Sequence, residues 1–387
     1  MKKIVLVLLV AIVLTNSFSA QDQVEQMPNN LSSQEQTPKI TIDPNTEIVF
    51  GQSASLSGHF QLYGNIIKHA ILACFESVNS QGGINGKKLR LISLDDQGNV
   101  EQTKKNVTYL RSLGIDMFIG NMGTRSQLAL LPLIEQKKIA VFFPWGGDEK
   151  LRNPKLSHII NGLGLLKPQL EALVTYIAET LQFSSIAIFN ADDDFSSQGA
   201  ETVTTLLNKY DITPLAQNSY NRFTFDIELA AKKLIAADPR VVVCLSTSMA
   251  AVKLINEFFQ QGHFGTTFIG IDSTLFVSDI LKKRGVPFTY TSPVPDPATS
   301  TLPIAEQYRH SIKKYFPAED FNVISFGYYL SARIIVEALK SADDNLNKEN
   351  IIKNIEQMKN FNLDGFVLTF DAKNRHAFGQ EAVIIKG

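Results

Sequence analysis

Cysteine is scarce in this sequence of 387 residues, which contains only Cys74 and Cys244. Both lie in apolar runs, ILACFE and VVVCLS, so we expect two buried free thiols, with a disulfide as the less favoured alternative. An excess of charge of one sign is also lacking, because 37 basic and 38 acidic residues give a formal net charge of -1. This balance does not favour binding to nucleic acid or to an anionic membrane surface.

Signatures of catalysis are absent from the sequence as well. It contains no G-x-S-x-G, H-E-x-x-H, P-loop or C-x-x-C motif, which removes the common hydrolase, metalloprotease and nucleotide-binding patterns. The 6 histidines are scattered without the spacing of metal ligands. Asp192, Asp193 and Asp194 are consecutive carboxylates that point in different directions, so a solvated loop tip is preferred over a cation site. We therefore predict no catalytic residues, no metal and no cofactor.

Long apolar segments are missing except near the N-terminus. Lys2 and Lys3 precede an apolar run from Ile4 to Leu14, and small or polar residues follow up to Ala20. This pattern predicts a secretory signal peptide over residues 1–20, because the run is too short to span a bilayer; a buried core helix is the alternative. No later segment approaches the length of a membrane helix, so we expect a mature chain in the periplasm without direct membrane insertion.

Folded structure is predicted to begin near residue 46. Residues 21–45 are rich in Gln, Asn, Ser and Pro and show no apolar period, which predicts a flexible spacer. From Glu47 onward, short apolar runs alternate with amphipathic stretches of helical length, which predicts βα units and mainly parallel sheets in two groups on either side of Leu165. The predicted strands are Ile48–Gln52, Leu89–Asp95, Met117–Ile119, Ala140–Phe143, Ser185–Phe189, Val241–Leu245 and Thr267–Ile271.

Several helix ends are also marked in the sequence. An apolar stripe predicts a helix over Asn65–Ser80, which stops before a pair of glycines. Asn99 and Thr124 are the predicted N-caps of the next two helices. Pro168 is expected to start a helix that runs to about Leu181.

Two segments carry a resemblance to a known family. Ser55–Gly64 reads SLSGHFQLYG, and Val78–Asn99 reads VNSQGGINGKKLRLISLDDQGN. Further matches are GNMGTRSQLAL, FFPWGGDEKL, IFNADDDFSSQGAE, FIGIDST and YTSPVPDP. In this order and at this spacing, they make Ile48–Gly387 resemble the type I periplasmic binding proteins of the branched-chain amino acid group, which are receptors of ABC importers.

The resemblance implies two Rossmann-like α/β lobes with mainly parallel sheets, joined by three chain crossings, with a ligand cleft between them. By this analogy, lobe 1 comprises residues 46–165 and 292–363, and lobe 2 comprises residues 166–291 and 364–387. Ligands of open α/β sheets bind beyond the carboxyl ends of the strands, so the loops at those ends are expected to line the cleft.

The resemblance also implies residues that hold the charged ends of an amino acid. Thr124 matches the family residue that binds the ligand carboxylate beside a helix N-terminus, although simple capping of that helix is an equal alternative. Gly146 and Gly147 match a turn that offers further backbone donors. Asp272 matches the acidic residue that receives the ligand ammonium, with helix capping as the alternative.

Aromatic and small polar positions complete the implied site. Tyr63 and Phe195 match aromatic cleft residues from opposite lobes, with core packing as the alternative. Ser57 belongs to the matched segment before Tyr63 and is assigned to the ligand site with it. Trp145, the one tryptophan, stands where the family usually has a small residue, and it is expected either to stack on a ligand or to pack beneath the loop.

Departures from the family pattern bear on ligand specificity. Arg125 introduces a charge that would suit a ligand with a second acidic group, although a solvated helix start is the simpler interpretation. Asp148 stands where a threonine donor is usual, and Leu166 stands where relatives often have a polar residue. These changes argue against assuming leucine, isoleucine or valine as the ligand.

The predicted function is that of a non-enzymatic solute receptor for an ABC importer. It would bind an amino acid or a related small polar molecule by closure of two lobes, as a monomer, and deliver it to a membrane permease. One alternative is a periplasmic sensing subunit for a membrane receptor or kinase. The third hypothesis is a hydrolase that uses Asp272 and Thr124 in the cleft, although the sequence does not place a nucleophile and a base together.

Overall fold

The structure, a computed structural model, describes residues 40–162, 166–281, 285–342, 345–370 and 382–386. The expected signal peptide, the spacer up to residue 39 and the expected crossing at Leu165 lie outside the described residues. From Thr41 onward the described residues belong to one unit. Their strands are β1 (Glu47–Ala54), β2 (Lys88–Asp95), β3 (Met117–Ile119), β4 (Ala140–Phe142), β5 (Ile159–Ile160), β6 (Ile186–Ala191), β7 (Ala216–Tyr220), β8 (Val241–Leu245), β9 (Thr267–Ile271), β10 (Thr289–Ser292), β11 (Phe361–Leu363), β12 (Phe366–Leu368) and β13 (Val383–Lys386).

The α-helices of the same ranges alternate with these strands over most of the chain, as βα units require. Short 3₁₀ turns lie between some of them, and a π-helical turn over Tyr176–Leu181 extends the fourth helix. The helices are α1 (Gln61–Asn79), α2 (Val100–Ser112), α3 (Thr124–Glu135), α4 (Leu166–Thr175), α5 (Asp194–Asn208), α6 (Ile227–Ala236), α7 (Ser248–Gln260), α8 (Val277–Leu281), α9 (Pro303–Tyr315), α10 (Val323–Lys340) and α11 (Lys348–Glu356).

The first sheet is wholly parallel and, within the described ranges, has the order β2-β1-β3-β4-β5. The interior strand β1 is buried along almost its whole length, as is usual for a parallel strand covered on both faces. Helix α1 packs against β2 and α10. The rings of Phe50 in β1 and Phe75 in α1 lie 5.6 Å apart between centroids, so aromatic packing joins this helix to the sheet.

The second sheet has the order β13-β10-β9-β8-β6-β7 in the described residues. Its strands are parallel except for β13, which pairs antiparallel with β10. Interior strands β6 and β8 are fully buried, whereas the edge strand β7 alternates between half-buried and exposed positions up to its buried last residue, Tyr220. Two mainly parallel α/β sheets confirm the predicted fold class of two Rossmann-like lobes.

Most predicted elements agree with the structure, and three strands, β3, β8 and β9, have the predicted bounds. Asn99 caps α2 as predicted, because its side chain accepts hydrogen bonds from the backbone N–H groups of Glu101 and Gln102. Helix α1 begins four residues before Asn65, at Gln61, directly after a 3₁₀ turn. Asn65 does not cap it, because its side-chain amide donates to the Gln61 carbonyl within the helix.

The prediction that Thr124 caps α3 is wrong. The N-cap is Gly123, which has a φ of 94°, a backbone conformation that glycine adopts without steric cost. Thr124 is the first helical residue, and its hydroxyl accepts a hydrogen bond from the backbone N–H of Gly147 at 3.2 Å. This side chain therefore connects α3 to the loop after β4 instead of capping its own helix.

The segment after β11 remains with the helices near the first sheet. Strand β12 pairs with β11 in a hairpin, and the Asp364 carbonyl accepts from the N–H of Ile304 at the start of α9. Arg333 of α10 lies 3.3 Å from the Asp364 carboxylate. The ring of Phe370 packs on Phe143, directly after β4, with 6.3 Å between centroids. This packing continues beyond the lobe boundary expected at residue 363.

Both cysteines are buried and free, as predicted. Burial raises the pKa of the Cys74 thiol to about 12 and also raises the pKa of Cys244. Each thiol is therefore protonated and inert at neutral pH, and each acts as a small apolar group in its core.

Gly64 in α1 passes so close to the loop after β1 that any side chain would collide with backbone. A Cβ atom at this position would lie 2.0 Å from the carbonyl oxygen of Ser55. We expect Gly64→Ala to lower the free energy of unfolding by about 2–3 kcal/mol, because helix and loop must separate. Urea unfolding of Gly265→Ala provides the control, since a Cβ there meets nothing closer than Arg240 Nη1 at 3.8 Å. Equal stability of the two variants would contradict this prediction.

Candidate functional site

A cavity of about 440 Å³ lies where the carboxyl ends of the strands of both sheets meet. Ser55 follows β1, Trp145 follows β4, Ser246 follows β8, and Asp272 follows β9; all four line it. Ligands of open α/β sheets bind in the crevice beyond the carboxyl ends of the strands, between the loops that follow them.

One wall of the cavity is built on the start of α3. Thr124 lies at the first helical position, and its hydroxyl oxygen accepts from the N–H of Gly147. The hydroxyl hydrogen stays available for a ligand acceptor, whereas the N–H of Gly147 is already used. Gly146 and Gly147 line the same wall, so the structure brings these three predicted residues together. The positive end of the α3 dipole makes this wall suitable for a carboxylate.

Asp272 faces the cavity from the second sheet, in a 3₁₀ turn after β9. The amide nitrogen of Gln169 donates to its Oδ2 at 3.3 Å, and the backbone N–H of Asp272 donates back to Gln169 Oε1 at 3.3 Å. Burial raises the pKa of the Asp272 carboxyl to about 6, and the hydrogen bonds from Gln169 and the Ser273 backbone oppose this only in part. Its partners are neutral, so the ionised carboxylate is left to be balanced by a cation.

The rings of Trp145 and Tyr63 pack against each other in a tilted arrangement. Their ring centroids are 5.1 Å apart, and only Trp145 reaches the cavity surface. The Tyr63 hydroxyl donates to the backbone oxygen of Ser273 at 2.7 Å and accepts from the N–H of Ser248 at 3.2 Å. Tyr63 therefore does not line the cavity, and burial raises the pKa of its hydroxyl. It connects α1 to the turn that carries Asp272.

Phe195 and Ser57 have different places in this site. Phe195 lines the cavity from the first turn of α5, in close contact with Gly147. Ser57 does not line it, because its hydroxyl donates to Asp95 Oδ2 at 2.5 Å. Ser55, two residues earlier, lines the cavity instead.

The cavity also contains residues that sequence reasoning missed. Gln169 was not predicted, although it lies three residues after Leu166, and positions three apart share one face of a helix. This spacing could have revealed Gln169. Relatives often have a polar residue at the position of Leu166, and Gln169 offers a polar side chain on the same helix face. Arg222 was missed because it follows β7, an edge strand without an apolar pattern.

Charged and aromatic side chains account for much of the cavity wall. Two ion pairs involve its lining residues: Arg125 Nε lies 3.7 Å from Asp194 Oδ2, and Arg222 Nη1 lies 3.4 Å from Asp193 Oδ2. The charged lining residues are Arg125, Arg152, Asp193, Asp194, Arg222 and Asp272, and the aromatic ones are Phe60, Trp145, Phe195, Tyr220 and Phe223.

The three consecutive aspartates have separate partners within the protein. Asp192 accepts from the side-chain amide of Asn221 at 2.8 Å, and Asp193 accepts from the backbone N–H of Ser196 at 2.8 Å. Asp194 pairs with Arg125. Their carboxylates do not converge, and no group of side chains in the described residues is arranged to hold a metal ion.

Comparison with known proteins gives this architecture a family. Residues 47–386 match a family model described as periplasmic binding protein. The chain belongs to the periplasmic binding protein family. This membership confirms the resemblance drawn from the sequence, and the relatives of this periplasmic binding protein are binding proteins and not enzymes. Among the described residues, no helix has both the length and the apolar character needed to cross a membrane.

Two curated relatives illustrate the similarity. A Leu/Ile/Val-binding protein homolog 3 from Brucella melitensis is 22% identical over 196 residues, which cover 51% of this chain and 53% of the relative. A leucine-specific-binding protein from Salmonella typhimurium is 24% identical over 149 residues, or 38% of this chain and 40% of the relative. The matched part of the chain spans about half the length of the first of these relatives.

Solved structures with the same fold cover much more of the chain. An extracellular ligand-binding receptor from Verminephrobacter eiseniae has a TM-score of 0.80 at 21% identity, covering 88% of this chain and 97% of the other. A branched chain amino acid ABC transporter protein from Thermus thermophilus with bound valine has a TM-score of 0.78 at 17% identity, covering 88% and 93%. At this identity the similarity establishes the fold.

Proposed function

We propose that this periplasmic binding protein captures an α-amino acid, or a small molecule with the same paired charges, and delivers it to an ABC importer. The observation that carries the proposal is the presence of Thr124 at the α3 N-terminus and of Asp272 in one cavity. The first suits a carboxylate and the second suits an ammonium group. A buried zwitterion needs both, because each of its charges loses hydration when the cavity closes.

In this proposal the ligand carboxylate accepts a hydrogen bond from the Thr124 hydroxyl and from N–H groups of the first turn of α3. The ligand ammonium binds the Asp272 carboxylate. Gln169 holds this residue in place, because it donates to the carboxylate and accepts from the Asp272 backbone N–H. Gln169 also accepts from the hydroxyl of Thr291 at the end of β10, so it ties Asp272 to the strand next to β9. Trp145 and Phe195 provide apolar walls.

Closure of two lobes around the ligand is part of the proposal. One lobe is assigned around each of the two sheets. Contacts that support a closed arrangement join residues of the two assigned lobes: the Tyr63 hydroxyl to the Ser273 backbone oxygen, and Arg125 to Asp194. Periplasmic binding proteins close by such hinge motion.

A ligand titration tests this function. The mature chain, freed of bound ligand, is titrated with individual amino acids while heat and Trp145 fluorescence are followed. We expect saturable binding of at least one amino acid at micromolar or lower concentration, with a fluorescence change because Trp145 lines the cavity and packs against Tyr63. The absence of both signals across all proteinogenic amino acids and their amides would overturn the proposal.

The role in import has its own test. We propose secretion to the periplasm and delivery to a permease because the N-terminal sequence has the pattern of a signal peptide and the family is that of periplasmic binding proteins. Deleting the gene should abolish high-affinity uptake of the radiolabelled ligand. Unchanged uptake together with a lost transcriptional response to the ligand would instead assign the protein to sensing.

A further inference from the structure

Arg222 occupies a part of the cavity wall that the two charged ends of an amino acid do not use. It follows β7, and its guanidinium carbon lies 4.7 Å from the ring centroid of Phe60 and 5.1 Å from that of Phe223. Two aromatic rings therefore contact the guanidinium in the closed arrangement and restrict its position there.

The hydrogen bonds of Arg222 leave its charge only partly compensated. Nη1 donates to Asp193 Oδ2 over a long distance, 3.4 Å, and Nε is buried without a hydrogen-bond partner in the described part of the chain. Asp193 has little further capacity, because its Oδ1 already accepts from the N–H of Ser196 as the cap of α5. Donors are thus in excess around this guanidinium.

Closure around a ligand would remove water from the unpaired N–H donors of Arg222. This costs free energy unless the ligand supplies a hydrogen-bond acceptor. The Arg222 side chain is still 23% exposed and lines the cavity, so a ligand can reach it and would remove its remaining water. An aliphatic side chain would displace that water without replacing its hydrogen bonds. A ligand oxygen would replace them with a charge-assisted bond.

We propose that Arg222 is a specificity-determining residue that binds a carboxamide or carboxylate oxygen at the side-chain end of the ligand. The ligand is then an amino acid with a polar side chain of that kind, and not a branched aliphatic one. The inference rests on the proposed function, because it takes the ligand ammonium to be at Asp272 and the ligand carboxylate to be at Thr124.

Calorimetry with glutamine, glutamate and norleucine tests the inference. Norleucine has a similar chain length and lacks the terminal oxygen. We expect the unmodified protein to bind glutamine or glutamate at least tenfold more tightly than norleucine, and the preferred one of the two identifies a carboxamide or a carboxylate site. Arg222→Met should reduce that preference to less than twofold while norleucine affinity stays within twofold. Arg222→Lys should keep a preference for glutamate, because it retains the charge.

Matched variants separate specificity from closure. Arg240 also lies over an aromatic ring, that of Phe183 at 5.5 Å, and is not a cavity residue, so Arg240→Met should change no affinity. An equal loss of affinity for norleucine and glutamine in Arg222→Met would mean that Arg222 supports closure, and would overturn the inference. Tight binding of norleucine by the unmodified protein would overturn it while leaving the proposed function intact. Failure to bind any amino acid would reject both.

Discussion

Replacing Asp272 by Asn is expected to weaken amino acid binding by about 10²–10³-fold and, at the same time, to raise the Tm of the ligand-free protein. The loss of binding follows because the ligand ammonium would be buried without a counter-charge, and removing one partner of a buried charged pair costs about 2–5 kcal/mol. The gain in stability follows because the partners of the carboxylate in the described part of the chain, Gln169 and the backbone of Ser273, are neutral when the cavity is empty.

The gain in stability of Asp272→Asn is expected to increase with pH. Burial raises the pKa of Asp272 from 3.8 to about 6, so the folded state holds this proton more tightly than the unfolded state does. The contribution of Asp272 to stability is therefore full below pH 4 and is lost as the pH rises toward 6. A difference of about two pKa units corresponds to about 3 kcal/mol at pH 7.5.

Thermal unfolding at pH 7.5 and pH 4, with calorimetry of the ligand, measures both effects. Asp272→Asn should exceed the unmodified protein in Tm at pH 7.5 and match it at pH 4. Asp279→Asn is the control, because Asp279 is exposed on α8 and should change neither quantity. A lower Tm of Asp272→Asn at pH 7.5 would indicate that the ionised Asp272 carboxylate stabilises its turn in the ligand-free protein. Unchanged affinity of this variant for the ligand would refute the binding of the ligand ammonium by Asp272.

Adding a single methyl group at Gly147 is expected to weaken ligand binding by about 10- to 100-fold. A Cβ atom there would lie 2.2 Å from Phe195 Cδ2, a distance that no packed structure tolerates. Gly147 follows β4 of the first sheet, whereas Phe195 belongs to α5 beside the second, so the overlap opposes the approach of the two walls. Relieving such overpacking typically costs about 1–3 kcal/mol.

Two further variants show whether the effect has this cause. Gly146→Ala places its Cβ no closer than 3.2 Å to Leu151 Cδ1, the end of a flexible side chain, so its affinity should fall much less. The double variant Gly147→Ala with Phe195→Ala should recover most of the affinity that Gly147→Ala loses, beyond what Phe195→Ala shows alone. A double variant as weak as the sum of the single ones would exclude steric conflict as the cause.

The fold was predictable from sequence wherever burial decides the local structure. Strands β8 and β9 are apolar runs that end at polar residues, and the structure has them at the predicted bounds. Strand β7, with the sequence AQNSY, was missed because an edge strand with exposed positions has no apolar run to detect. Strand β13 was missed because its pairing with β10 is long-range and antiparallel.

Site residues were predictable where their position directly after a strand places them at the cavity. The prediction failed for residues whose place depends on hydrogen bonds to distant side chains. Trp145 and Asp272 follow β4 and β9 closely and do line the cavity. Ser57 is held away from it by the Asp95 carboxylate, a partner from β2 that no local pattern reveals. Gln169 reaches Asp272 across 103 residues of sequence, so its role depends on the assembled fold.

The enclosed thiols make lobe motion accessible to single-molecule spectroscopy. Cys74 and Cys244 are buried and protonated, so maleimide dyes will react with cysteines introduced on the surface and leave the native pair in place. Leu62 of α1 and Leu229 of α6 are 48% and 62% exposed, and they lie beside different sheets. A donor and an acceptor dye at these two positions would report interlobe distance by energy transfer, and would separate a protein that closes only after ligand arrives from one that samples the closed state beforehand.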